Sequence, residues 1–187
     1  MDEQRRERVV SSQTVFAGRL ISVRVDQVEL PSGIAAREVV SHPGAVAIVP
    51  MLPEGRVVMI RQYRHAVGEV LWELPAGTLQ PGEEPEACAR RELIEEVGYR
   101  AGEMRLLFST YLSPGYADEV MHVFLATDLV AGASALEEDE RIEPVVMPLA
   151  EAVAKVRAGE VRNATAIGGL LAAAQWAAGE PSGRSGV

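Results

Sequence analysis

The residues best suited to chemistry lie between Gly77 and Tyr99, where Glu83, Glu86, Glu92, Glu95 and Glu96 crowd into one short stretch. On a helix, residues three and four apart share a face, so Glu92, Glu95 and Glu96 project together with Cβ atoms about 5–6 Å apart. Like charges that close destabilise a helix unless something positive sits among them. A hard divalent cation such as Mg²⁺ prefers oxygen ligands, and the stretch reads as a place for one. The alternative for any glutamate-rich helix is a solvated acidic face, here neutralised by Arg90 and Arg91.

A loop, a helix and a second loop must position these carboxylates. Pro75, Gly77, Pro81 and Gly82 punctuate the approach. Pro85 suits the first helical turn, where its missing N–H would have been unpaired anyway. Ala87 to Val97 are tolerable or good helix formers, and Gly98 can adopt the left-handed conformation that ends the helix. Ala89, Leu93 and Val97, at four-residue spacing, make the buried stripe. Arg91 and Glu95 are four apart and are expected to pair, orienting Glu95 while Glu92 and Glu96 hold metal.

Composition narrows the setting. The chain has 187 residues, 48% of them apolar, which suits one domain with short additions. No segment approaches eighteen uninterrupted apolar residues, and the charged start MDEQRRERVV has no apolar core of a secretory signal, so neither a membrane span nor export is expected. The net charge of −9 argues against nucleic acid as partner. Cys88 is the single cysteine and reads as a small packed residue in a cytoplasmic, reducing compartment.

Strand signals surround the glutamate helix. Val15 to His42 reads as a β-hairpin turning at Pro31-Ser32-Gly33. Gly44 to Leu52 and Arg56 to Gln62 read as buried partner strands, and Val70 to Leu74 as a short strand before the glutamate-rich stretch. Met104 to Leu112, Glu119 to Leu129 and Glu143 to Met147 follow as strands, then helices from Leu149 to Ala158 and from about Asn163 to Ala178. The expected division is an N-terminal β extension over 1–42, a main domain over 43–178 and a flexible tail over 179–187. Clustered strands with interspersed helices argue an α+β class.

The pattern runs Gly77, five residues, Glu83, seven residues, then Arg91-Glu92-Leu93-Ile94-Glu95-Glu96-Val97-Gly98-Tyr99. It resembles the Nudix box, the signature of hydrolases that cut a nucleoside diphosphate linked to another group. All fixed identities are present, and Leu93 and Tyr99 fill the bulky apolar positions. Chance would produce such a set in about one chain in 10⁶ of this length. The resemblance implies an α/β/α sandwich around a mixed β-sheet, with the hairpin as a small N-terminal antiparallel extension. It also implies a homodimer that exchanges these hairpins.

Segments outside the box bear on the substrate. Ser113-Pro114-Gly115, trailed by Glu119, resembles the motif that marks ADP-ribose pyrophosphatases within this superfamily, where Glu119 would contact the terminal ribose. The acidic run Glu137-Glu138-Asp139-Glu140 resembles the loop that supplies the catalytic base and a further metal ligand. Aligned on Ile142, Glu138 falls on the base and Glu140 on the ligand. Arg61 and Arg64, in IRQYRHAV, match a substrate-facing arginine region, and an arginine fork suits a diphosphate. Arg37 and Glu38 match a position that reaches a neighbouring subunit's adenosine, and Thr78 is grouped with these substrate contacts.

The reaction expected is hydrolysis of ADP-ribose to AMP and ribose 5-phosphate, with Mg²⁺ as cofactor and Mn²⁺ as a substitute. The resemblance gives Glu92, Glu96, Glu140 and the Ala76 carbonyl as metal ligands. Glu138 takes the proton of the attacking water, and Glu83 and Glu95 orient ligands or water, Glu95 being grouped with Glu138 as catalytic. Two alternatives stay open. One is hydrolysis of GDP-mannose or another nucleotide sugar. The other is a Nudix-like sensor that binds ADP-ribose without cutting it, against which the intact box glutamates and the lack of a basic helix-turn-helix extension argue.

Overall fold

The computed structural model describes residues 6–135 and 141–179. Contacts group the chain into two units, Met1–Gly44 with Tyr111–Val120, and Ala45–Thr110 with Met121–Val187.

The first unit holds an antiparallel sheet of three strands, β1 (Arg8–Ala17), β2 (Ser22–Leu30) and β3 (Gly33–Ser41), in that order. The expected hairpin is β2–β3, joined through Pro31 and Ser32. A further strand precedes it, β1, paired to β2 from Arg8↔Glu29 to Ala17↔Ser22. Every residue of β1 is exposed within this chain, so no apolar–polar alternation betrays it in the sequence. The segment after Tyr111 is stitched onto β3. Val40 N–H donates to the Tyr116 carbonyl at 2.7 Å, and Asp118 N–H to the Val40 carbonyl at 3.1 Å. The Asp118 carboxylate then accepts from the Ser41 hydroxyl and the His42 N–H, each at 3.0 Å.

The second unit is built on a mixed sheet of seven strands. β4 (Ala45–Leu52), β5 (Arg56–Arg64), β9 (Val120–Ala131), β8 (Tyr99–Tyr111) and β10 (Ile142–Pro148) run in the order β10-β5-β4-β9-β8, with β6 (Glu69–Glu73) added to β5 and β7 (Ala76–Thr78) to β4. β4 is parallel to β9 and antiparallel to β5 and β7. Strand residues alternate between two faces, and the sequence GAVAIVPML is apolar on both, as a strand covered on both sides must be. Ala45, Ala47, Val49 and Met51 point into a core with Ala152, Val153, Ala166, Leu170 and Ala173 from α2 (Leu149–Arg157) and α3 (Ala164–Ala177). Val46 and Ile48 point the other way, with Val58, Ile60 and Phe124, against Cys88, Ala89, Leu93 and Val97 of α1 (Pro85–Val97). The result is the α/β/α layering expected of the chain.

Two local features differ from the sequence reading. Ala76–Thr78, read as loop, is a strand because its backbone pairs with Ala45–Ala47 of β4. β8 starts at Tyr99, directly after the helix, rather than at Met104. The α3 start agrees with the reading: the Asn163 side chain accepts the Ala166 N–H at 2.9 Å as its N-cap. Among the described residues no helix is long and apolar enough to cross a membrane. The tail from residue 180 lies outside them.

Candidate active site

The box forms β7, a turn and α1. Pro85 opens the helix, and Gly98 closes it in the left-handed region at φ 72°, its N–H bonded to the Ile94 carbonyl at 3.0 Å. Residues 88, 89, 92, 93, 96 and 97 form the buried face. This face carries apolar Leu93 and Val97 into the core and, beside them, two carboxylates: Glu92 is 8% exposed and Glu96 2%. Burying charge this far is unfavourable unless each group finds compensating partners.

Those partners are visible. Glu96 accepts the Ala76 N–H at 2.9 Å. Glu92 lies against Gly77, and a Cβ at that position would overlap its carboxyl group, so any larger residue there would have to displace the Glu92 side chain. Glu92 Oε1 accepts from Arg91 Nη1 at 2.6 Å. The same nitrogen reaches Glu95 Oε2 at 2.9 Å, the pair expected from their spacing. Arg91 also clamps Glu83, through Nε at 3.0 Å and Nη2 at 2.9 Å. One guanidinium thus joins carboxylates from the turn and from the helix, whereas Arg90 turns away to Glu86 and the Ala101 carbonyl.

The electrostatic consequence is large at Glu83. Its hydrogen bonds from Arg91, aided by the Gln80 N–H, hold its carboxyl down to about 2. Arg91 is in turn raised above its ordinary value, chiefly by Glu83. Burial pushes the Cys88 thiol up to about 12, which leaves it protonated and inert at neutral pH. Cys88 is therefore a packed residue.

Whether these residues suit a divalent cation can be judged from the donors they present. Glu92 and Glu96 offer buried, oriented carboxylate oxygens, the ligand type hard cations take. Among the described residues no group of three or more His, Cys, Asp or Glu side chains is arranged to hold a metal. Glu92 and Glu96 are thus two of the donors that such a cation would need. The other expected ligand, Glu140, and the expected base, Glu138, lie outside the described residues. Their flanks are described: Ala135 N–H donates to the Glu95 carbonyl at 2.9 Å, Gly132 N–H to the Gly98 carbonyl at 2.6 Å, and Ile142 pairs with Gln62. The chain therefore leaves for the acidic run from the end of α1 and returns beside β5.

The arginines assigned to substrate have partners that the sequence did not suggest. Arg61 stands between Trp72 and Glu143, its cross-strand neighbours on β6 and β10, with the guanidinium 5.4 Å from the Trp72 ring centre and 3.4 Å from Glu143. Arg64 clamps Glu73, a carboxylate only 2% exposed, through Nη2 at 2.6 Å and Nε at 3.1 Å. Glu73 was missed; its signal is an acidic residue set among apolar ones in VLWELP. Thr78 lends its carbonyl to Arg91 Nη2 at 3.4 Å.

The remaining residues lie in the first unit. Arg37, Glu38 and Pro114 line one cavity of about 750 Å³, together with Tyr111, Tyr116 and Glu7. Glu119 lies 3.7 Å from His42 Nδ1, which also accepts the Gly44 N–H. Glu7 was not anticipated, since nothing in MDEQRRERVV sets one charge apart from the others.

Comparison with known proteins agrees with this architecture. Residues 41–166 match the NUDIX domain, and residues 7–40 match the nucleoside diphosphate sugar hydrolase N-terminal domain. An ADP-ribose pyrophosphatase of Mycobacterium tuberculosis is 46% identical, covering 87% of this chain and 81% of the relative. One of Bacillus subtilis is 42% identical over 84% and 87%. A GDP-mannose pyrophosphatase of Citrobacter koseri is 41% identical over a shorter region, 64% and 67%. A solved structure described as an ADP compounds hydrolase superposes with a TM-score of 0.81, at 26% identity, covering 93% of this chain and 95% of its own. The box geometry, the layered sheet and these matches lead to one assignment: the chain belongs to the NUDIX domain family and is a Nudix hydrolase resembling the ADP-ribose pyrophosphatases.

Proposed function

We propose that this hydrolase cleaves the diphosphate of ADP-ribose, releasing AMP and ribose 5-phosphate. The observation that carries the reading is the pair of buried carboxylates, Glu92 and Glu96, fixed on one helix face by Arg91 and by the Ala76 N–H. Glu92, Glu96, the Ala76 carbonyl and Glu140 would hold Mg²⁺, with Mn²⁺ as substitute; bound there, the cation neutralises diphosphate charge and makes an attacking water more acidic.

The chain's own groups account for the rest. Water adds to one phosphorus, the P–O bond to the bridging oxygen breaks, and that oxygen leaves with the other phosphate. Glu138 accepts the water's proton, which a carboxylate among other carboxylates is suited to do. Glu95, tied to Arg91, orients water. Glu83 acts one step further out, by holding Arg91. Arg61 and Arg64 are the cations for the diphosphate, each oriented by a carboxylate, Glu143 or Glu73. The cavity lined by Arg37, Glu38 and Pro114 is the candidate place for a neighbouring subunit's adenosine, and Glu119 would contact the terminal ribose.

ADP-ribose is favoured because the relatives bearing that activity in their names match over most of the chain. GDP-mannose is the second reading, supported by the Citrobacter koseri relative. Intact box glutamates weigh against a sensor without activity. A homodimer is proposed from β1, which among the described residues pairs on one edge only and leaves Val9, Val10, Val15 and Phe16 exposed.

Substitution separates the roles. Glu96→Gln should lower kcat by about 10²-fold or more. Glu138→Gln should depress kcat at saturating Mg²⁺, while Glu140→Gln should also raise the Mg²⁺ requirement. Small and equal effects at Glu138 and Glu140 would remove both assignments.

A further inference from the structure

The ion pair between Glu7 and Arg37 has no part in the steps above, yet both residues stand in the wall of the nucleoside cavity. Glu7 Oε2 accepts from Arg37 Nε at 2.9 Å and Oε1 from Nη2 at 2.6 Å, a parallel clamp of two bonds. The third guanidinium nitrogen, Nη1, donates to the Ala36 carbonyl at 3.2 Å. Every nitrogen of Arg37 is engaged within the protein.

This changes what Arg37 can recognise. A guanidinium grips phosphate through one of its two two-bond edges; here Glu7 fills the Nε–Nη2 edge and the Ala36 carbonyl already holds Nη1 of the other. These hydrogen bonds lie in the guanidinium plane and none of them uses its flat face, the surface that stacks on aromatic rings. Charge points the same way. Glu7 cancels Arg37, and Glu38 adds a carboxylate to the wall, which disfavours a phosphate and suits N–H donors on a heterocycle. Tyr111 and Tyr116 supply further ring surface.

We propose that Glu7 is a positioning residue: by occupying the edge of Arg37 it presents the guanidinium face to a nucleobase and turns the pocket away from phosphates. The inference rests on the reading that the chain binds a nucleotide sugar, and it adds a specificity residue from the N-terminal extension.

The test uses the full chain with Glu7→Gln, which keeps the side-chain size but can offer Arg37 only one acceptor. KM and kcat for ADP-ribose are measured, along with calorimetric binding of AMP and of inorganic pyrophosphate. KM and the AMP Kd should rise about fivefold or more. Over the same comparison kcat should stay within about twofold, and pyrophosphate binding should hold or tighten as the edge is freed. Glu7→Asp should recover part of the loss. Arg37→Lys should reproduce it, with no further loss on adding Glu7→Gln. An AMP Kd that Glu7→Gln leaves unmoved overturns the proposal, as does pyrophosphate binding that weakens in parallel with AMP, a fall confined to kcat, or a wild-type chain that binds no AMP. A wild-type chain that binds AMP through Glu7 but does not hydrolyse ADP-ribose would remove the proposed substrate and leave this role standing.

Discussion

Gly77 and Glu92 are in such close contact that a single methyl group on the glycine would overlap the carboxyl group of the glutamate. The glycine sits on β7, paired with Val46, and the glutamate on the buried face of α1. The strand–helix contact thus sets the position of a carboxylate, and its requirement is spatial: a side chain at 77 would have to push the Glu92 carboxyl group aside.

Gly77→Ala should therefore act as a displacement of Glu92. The fold should persist, since the core behind α1 is untouched, but the Mg²⁺ concentration for half-maximal activity should rise by about 10–100-fold. A metal titration of activity, read beside a thermal melt, checks this. Unchanged Mg²⁺ dependence would mean that Glu92 does not need this position.

Arg91 joins Glu83, Glu92 and Glu95, and its loss would leave Glu83 and Glu92 half-buried or buried without their cation. Arg91→Gln should destabilise the chain by about 2–4 kcal/mol, measured by urea unfolding. Arg91→Lys should recover less than half of that, because an ammonium cannot reproduce the fork that clamps Glu83. Full recovery by lysine would show that charge alone matters there.

Acid stability should carry the signature of Glu83. Hydrogen bonds from Arg91 hold its carboxyl down to about 2, below its ordinary value of 4.5. A folded-state value lower than the unfolded one gives stability that is present above about pH 4.5 and drains away as pH falls towards 2. With allowance for solvent screening, that contribution is about 1–2 kcal/mol. Glu83→Gln should flatten the unfolding free energy between pH 5 and pH 2, by about that amount. An identical slope in both proteins would show that the Glu83–Arg91 pair adds nothing to folding.

Much of this arrangement is legible in the sequence because it is local. Leu93 and Val97 announce the buried face of α1 by spacing alone, and GAVAIVPML announces a strand covered on both sides. The Arg91–Glu95 pair follows from helix geometry. What escaped depends on distant segments. Glu83 reaches Arg91 only because the turn after β7 folds back across the helix, and Gln80 N–H helps by holding Glu83 at 3.0 Å. Glu73 meets Arg64 across the β5–β6 hairpin, a pairing that needs the register to be known. β1 left no alternation to read, and Glu7 finds Arg37 only through the sheet that β1 joins.

Product analysis tests the central claim most directly. The purified chain is incubated with Mg²⁺ and, separately, ADP-ribose, GDP-mannose, NADH, a diadenosine polyphosphate and 8-oxo-dGTP. The account predicts that ADP-ribose turns over fastest and yields AMP and ribose 5-phosphate in equal amounts. Faster turnover of GDP-mannose, or binding of ADP-ribose without cleavage, would contradict it.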